Sequence, residues 1–246
     1  MKLRRWAPTL ALALMSCGGS AAIKPDGGGE AGAGLASLRT GLAGAWSFDG
    51  DGADHSGNGL DLGVAGLRFA TGRFGKGVQF AGDGTPIAQR PKDDSSLDLA
   101  SGDFSVSFWV EFARTSAPQI VVTKGSGMMA GWYVGWAQTQ WAYALPGGRT
   151  FDDPNTTPAL GAFHHVVFTR AGDSLEMIVD ETPIGTAAVG AVSASGDPFQ
   201  VGGYAAGGVM VGNGMKVVDG VVDDVALWHR ALTADERAYL ATHAVP

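Results

Sequence analysis

The sequence predicts an all-β domain of two packed antiparallel sheets with one short C-terminal helix, and three observations predict it. The run Phe104-Ser105-Val106-Ser107-Phe108-Trp109-Val110-Glu111-Phe112 puts Phe104, Val106, Phe108, Val110 and Phe112 on one face by strict alternation. A face that apolar belongs against a second sheet. Short runs of β-branched and aromatic residues recur along the chain, separated by Gly, Asp and Pro, in a sequence with 39 glycines. No helical period falls between them, which disfavours a parallel α/β layout, and no repeat of fixed length suggests a propeller or solenoid.

Taken in order, strands are expected at 77–81, 104–112, 119–124, 131–136, 140–145, 163–170, 174–180, 199–203 and 220–228. Each is a β-rich run that stops at a turn residue. On the strand at 104–112, Ser105 faces away from the apolar stripe and is expected to be a surface position. The last run, Val218 to Trp228, carries an acidic pair, Asp223-Asp224, among valines. It passes into Thr233-Ala234-Asp235-Glu236, a T-x-x-E capping box that opens a helix over about 233–243. Leu232, Tyr239 and Leu240 are placed to dock that helix on the sandwich.

The two ends of the chain differ in kind. Lys2, Arg4 and Arg5 precede an apolar stretch from Trp6 to Met15, too short for a bilayer span of about 20 residues. It ends in Leu14-Met15-Ser16-Cys17, which resembles a bacterial lipoprotein signal with the sole cysteine, Cys17, as acceptor. The expected organisation is a signal peptide at 1–16, a lipidated Cys17 with a Gly/Ala/Ser-rich tether over 17–40, and one domain over 41–246. Flexible-chain scaling gives such a tether a reach of about 25 Å. Gly18 and Gly19 leave out the acidic residue that resembles inner-membrane retention, so outer membrane or cell surface is the expected location.

The formal net charge is −7, and segment 1–16 holds three of the 17 Lys+Arg and none of the 24 Asp+Glu, so its removal leaves −10. No basic stripe remains, which argues against nucleic acid and anionic membrane surfaces as partners. Contact with a membrane is expected through the lipid alone.

Several motifs then line up along the domain. They are Ala45-Trp46-Ser47-Phe48-Asp49, Asp54-His55-Ser56-Gly57-Asn58-Gly59 and Gly72-Arg73-Phe74-Gly75-Lys76-Gly77-Val78-Gln79-Phe80. Phe104 to Phe112, Val122-Thr123-Lys124-Gly125, Phe163-His164-His165-Val166, Ser174 to Glu181 and the closing run follow. In this order, from about Leu42 to Leu240, they resemble the laminin-G-like, concanavalin A-like jelly-roll domains. The resemblance implies a two-sheet jelly-roll β-sandwich. Two departures stand out: Phe163 replaces a tryptophan, and Glu181 replaces the glycine of a D-G turn. This architecture hosts sugar binders, protein binders and some enzymes, so it says little about function by itself.

Three constellations carry chemistry. Calcium needs six to eight oxygen ligands. Asp49, Asp54 and Asn58 lie in or before a Gly-rich turn, while Asp223 sits mid-strand among valines, where a buried carboxylate needs a partner. The resemblance implies a structural cation between the first turn and the last strand; the alternative is that Asp54 makes an Asx-turn and Asp223 accepts backbone N–H bonds. A ligand face is the second candidate. Trp132, Trp136, Trp141 and Tyr143 alternate on neighbouring strands, Trp109 lies opposite the apolar stripe of its own strand, and Arg149, Gln138 and Gln140 supply hydrogen bonds. Sugar rings stack on exposed indoles, although aromatics at period two are more often core. Hydrolysis is the third and weakest. Glu30, Glu111, Glu176, Glu181 and Glu236 form no E-x-D-x-E strand, and retaining glycosidases need two carboxyls about 5 Å apart. His164 and His165 point to opposite faces of a strand and cannot share a metal.

The expected function is a non-enzymatic cell-surface binding module for carbohydrate. Protein interaction or adhesion is the alternative, and a glycosidase-like enzyme the third reading.

Overall fold

The computed structural model describes residues 36–82, 86–99, 102–126, 130–137, 139–145, 149–150, 157–190, 192–206, 209–210 and 217–246. The signal segment, Cys17, the tether as far as residue 35, and Gln138 lie outside the described residues. Strands run in the order β1 (Leu42–Trp46), β2 (Arg68–Thr71), β3 (Lys76–Ala81), β4 (Ala88–Gln89), β5 (Phe104–Phe112), β6 (Gln119–Lys124), β7 (Trp132–Trp136) and β8 (Trp141–Ala144). They continue as β9 (Arg149–Thr150), β10 (Phe163–Ala171), β11 (Ser174–Val179), β12 (Thr182–Ala188), β13 (Phe199–Val201), β14 (Ala205–Ala206), β15 (Val209–Met210) and β16 (Asp219–Trp228). The C-terminal helix spans Ala234–Leu240.

An eight-stranded sheet has the order β12-β11-β10-β5-β16-β3-β2, with β1 also paired to β16, and a six-stranded sheet has the order β4-β13-β6-β7-β8-β9. Every pairing is antiparallel. The long strand β16 serves β3 with its first half and β1 with its second. This is the two-sheet jelly-roll sandwich.

The alternation on β5 delivers its stripe inward as expected: Phe104, Val106, Phe108, Val110 and Phe112 are all buried in the main core. Rings from the two sheets meet there. Phe112 packs on Trp141 at 5.8 Å, Phe168 on Tyr143 at 5.1 Å, and Trp46 stacks on Phe199 at 4.8 Å. Lys124 is completely buried, with Nζ 2.6 Å from Asp93, 2.7 Å from Asp98 and 2.7 Å from the Ser195 carbonyl. Its three donors meet three acceptors, so the buried charge is fully matched and ties two loops to the end of β6.

Two expectations are corrected on the outer face of the eight-stranded sheet. Residues 36–40 are not tether: Leu38 is buried with Leu42, Ala45, Ala226, Trp228, Leu232 and Leu240 in a second core. The Trp228 indole donates to the Leu38 carbonyl at 2.7 Å, and Arg230 donates to the carbonyls of Ser37 and Thr40. Glu236 closes this clasp. It accepts two hydrogen bonds from Arg230 and one from Ser37, and completes the capping box with Thr233. Burial alone would raise its pKa, yet those donors hold it down at about 2. Ser105, in turn, is buried rather than exposed, because the chain leading into the helix lies over it.

Candidate functional site

The aromatic face expected to hold a ligand is the core. Trp132, Trp136 and Trp141 are at most 1% exposed and Tyr143 is 3% exposed, so no sugar reaches them from solvent. The period-two alternation holds and takes its core alternative: these rings point at the opposite sheet. Trp109 does lie on the outer face, but both sides of its indole are covered. The His165 ring stacks on it at 4.9 Å, the Arg73 guanidinium sits 4.7 Å away, and Phe74 meets it edge-on. Arg149 pairs with Tyr143 through the backbone, and its side chain lies outside the described residues.

The four residues grouped for calcium serve two different turns. Asp54 accepts from the amides of Ala45, Ser56 and Leu60 and from the Ser56 hydroxyl, all within 3.0 Å. Burial opposes ionisation there, and those four donors still lower its pKa. Asn58 donates to the carbonyls of Leu42 and Ala43, so it presents its amide nitrogen rather than an oxygen to β1. Together they staple the turn onto the first strand. Asp49 and Asp223 act on the β2–β3 turn instead. Asp223 Oδ2 accepts from the Phe74 amide at 3.0 Å, and Asp49 Oδ1 accepts from the Lys76 amide at 2.7 Å. A Cβ on Gly72 would lie 2.4 Å from Asp223 Oδ2, and one on Gly75, at φ +67°, would lie 2.1 Å from Asp49 Oδ1. Those two glycines let the backbone reach the carboxylates. Asp54 and Asn58 therefore do not fit a shared calcium site with Asp223, and among the described residues no group of three or more His, Cys, Asp or Glu is arranged to hold a metal.

Asp224 is the unusual member of this region. It sits at φ +47° in an irregularity of β16, is 2% exposed, and neither carboxylate oxygen has a hydrogen-bond partner of normal geometry. Burial, then the neighbouring Asp223 charge, pushes it up to about 8, and burial pushes Asp223 up to about 7. Protonation of Asp224 would remove the cost of burying its charge.

One row of side chains has the order of a nucleophilic triad. Ser107 Oγ is 2.9 Å from His165 Nε2, and His165 Nδ1 is 3.4 Å from Glu181 Oε1. Ser107 and His165 are each 1% exposed, and their backbones belong to the β5–β10 ladder. No acyl group reaches the hydroxyl, and the nearby amides are engaged in sheet pairing rather than free to stabilise an oxyanion. Ser107 and His165 form a buried polar pair that Glu181 approaches from the surface. Glu181, the departure from a D-G turn, keeps the turn: Asp180 and Glu181 adopt φ +49° and +63°, the pair of positive values a type I′ hairpin requires. Asp180 holds it by accepting from the His165 amide and binding His164 Nδ1 at 2.6 Å.

An open concavity lies elsewhere. Where β2, β3 and the start of β16 meet, a groove of about 490 Å³ has Leu67, Phe80, Pro86 and Val217 beneath it and Arg68, Gln79 and Asp219 around it. That volume falls within the usual range for small-ligand sites. Arg68 and Gln79 are cross-strand partners and both are exposed. Asp219 pairs with Arg114 at 2.7 Å, and a small recess continues past it toward Arg114, Ser116 and Gln119. Sequence reasoning missed all of these residues. Their signal was faint: outward positions of two short strands, joined only once the sheet order is known.

The architecture has close counterparts among solved structures. Domain 4 of an extracellular arabinanase from Geobacillus stearothermophilus, in complex with arabinotriose, matches with a TM-score of 0.64 at 18% identity, over 82% of this chain and 98% of that one. The binding domain of Paraclostridial Mosquitocidal Protein 1 matches at 0.62 and 15% identity, over 83% of this chain and 52% of that one. Trypanosoma rangeli sialidase in complex with sialic acid matches at 0.59 and 21% identity; 82% of this chain corresponds to only 33% of the sialidase. At these identities the likeness is one of fold. Among curated protein sequences none matches significantly. A family model does match residues 83–236, from beyond β3 to the capping box that β16 leads into, and by it the chain belongs to the Laminin_G_3 family of the concanavalin A-like lectin/glucanases superfamily.

Proposed function

We propose that this domain is a non-enzymatic glycan-binding module, held at the bacterial cell surface by a lipid on Cys17. The observation that carries the reading is the groove at Arg68, Gln79 and Asp219, with apolar side chains beneath convergent polar groups. An arabinanase domain seen with arabinotriose shares the fold, which supports a saccharide as the class of ligand. Asp219 is the carboxylate lining the described groove, and it is engaged by Arg114. A pair of carboxyls about 5 Å apart, as retaining hydrolysis requires, is not formed there by the described residues.

Position supports display. The described chain enters beside Trp228, at one end of β16, and the groove lies beside Asp219, at the other. Nine residue steps of about 3.3 Å separate them by about 30 Å. A lipid before residue 36 would then attach at the end of β16 opposite the groove. Among the described residues no helix is long and apolar enough to cross a bilayer.

A glycan array probed with the purified domain tests the reading. Retention of one related set of polysaccharides, lost on Gln79→Ala but not on a change at exposed Leu160, is expected. Binding to no glycan, with capture of a purified surface protein instead, would replace it with adhesion.

A further inference from the structure

Within that reading, we infer that the groove selects a saccharide bearing a carboxylate, with Arg68 as the residue that recognises the acid. Among the described residues, two guanidinium groups and one carboxylate border the groove and its recess. Arg114 and Asp219 neutralise each other at 2.7 Å. Among the described residues Arg68 makes no ion pair or side-chain hydrogen bond, so among them it is the cation of the groove without a charged partner. This occurs in a chain whose formal net charge is −7. The chain's overall field repels anions, so only a local, geometrically matched contact recruits one.

The chemistry of the group narrows the ligand. A planar guanidinium offers paired donors that match the two oxygens of a carboxylate, and it stays charged at any physiological pH. Gln79, directly across from Arg68 on β3, contributes one amide donor and one acceptor for neighbouring hydroxyls. Asp219 is held by Arg114 yet still faces the groove, and it accepts from further hydroxyls. Pro86, which is exposed, and half-buried Leu67 offer an apolar surface to the carbon face of a ring. A densely sulfated chain fits poorly, because Asp219 would face its second charge. A uronate-type unit presents the required set: one acid, several hydroxyls and one apolar face.

The test uses a panel of oligosaccharides built from galacturonate, glucuronate, mannuronate or sialate, each beside its methyl ester. The ester keeps the shape and removes the charge. Titration of the wild-type domain, followed by amide NMR shifts, is expected to show binding of at least one acid at β2, β3 and residue 219. The matching ester should bind about tenfold or more weakly, the range of a charge-assisted hydrogen bond. Arg68→Gln should lower affinity for the acid by a similar factor and leave the ester unchanged. Added salt should weaken the acid alone. Equal affinity for acid and ester, an unaffected Arg68→Gln variant, or binding confined to neutral or sulfated glycans would overturn the inference while leaving a glycan-binding module. No glycan bound by the wild type would overturn the module reading together with it. Arg68 is exposed, and an unchanged melting curve for Arg68→Gln would show that the fold is intact.

Discussion

The carboxylate of Asp223, in the middle of the last strand, accepts a hydrogen bond from the amide of Phe74, 149 residues earlier in the chain, at 3.0 Å. It anchors the β2–β3 turn from beneath, and it does so beside Asp224, whose oxygens make no hydrogen bond of normal geometry. Two neighbouring carboxyls are thus kept in one low-dielectric place, and the consequence is a dependence on protons.

Burial raises Asp223 to about 7 and Asp224 to about 8, above the 3.8 expected of the unfolded chain. Between about pH 4 and pH 8 the folded state therefore binds more protons than the unfolded one, and stability falls as pH rises through that window. His164, raised by its hydrogen bond to Asp180, contributes in the same direction near neutrality. Denaturant melts in EDTA should show midpoints dropping from pH 5 to pH 8, and Asp224→Asn should flatten much of that slope. Calcium bound by the pair would give the opposite sign, stability growing as the carboxyls ionise. A slope that calcium reverses would therefore restore the cation, at Asp223 and Asp224 rather than at Asp54.

Trp141 separates core from ligand face. Its ring lies between Phe112 at 5.8 Å and Trp136 at 5.8 Å with no exposure. Trp141→Ala should cost about 3–5 kcal/mol by denaturant melt. Near-wild-type stability with lost glycan binding would instead return the residue to the surface.

Ser105 is expected to be costly to remove although it lies on the outer side of β5. Thr169 Oγ1 donates to the Phe104 carbonyl, so the Ser105 hydroxyl donates to Thr169 and accepts from the Leu232 amide at 2.9 Å. Ser105→Ala leaves that buried amide without a partner, at about 1–3 kcal/mol. A change below 0.5 kcal/mol in equilibrium unfolding would mean the helix entry does not rest on the sheet.

Leu38 should behave as a core residue. Leu38→Ala is expected to cost about 2–5 kcal/mol. Limited proteolysis of the wild type should cut before residue 36, and the variant should be cut at the clasp as well. Identical cleavage patterns would leave 36–40 as tether.

The long alternating run at β5 was legible because its period survives any packing partner, and so were the capping box and the bounds of β6. Short edge elements were not. In β12, Pro183 and Gly185 interrupt the run and few side chains are buried, so pattern alone offers little. Burial on the second face of a strand was the main blind spot: Ser105, Ser107, Trp109 and His165 look solvent-facing until the clasp and the β2–β3 turn cover them. Several motifs acquired reasons only in three dimensions, as when Lys124 proved to be the matched buried charge of its strand end. The groove was invisible for the same cause, since Arg68, Gln79 and Asp219 become neighbours through sheet order alone.

The clasp at Leu38 also sets how the domain bears a pull. On the proposed reading, a ligand dragged by flow would tug at the Asp219 end of β16, and an anchored N-terminus would tug at the Trp228 end. Tension then runs lengthwise along one strand that is bonded to β1, β3 and β5. Loaded in that shearing direction, the rungs of the ladder share the force and must fail together, whereas a pull across the sheet would open them one at a time. Strength against drag would come from the direction of loading, without any extra bond.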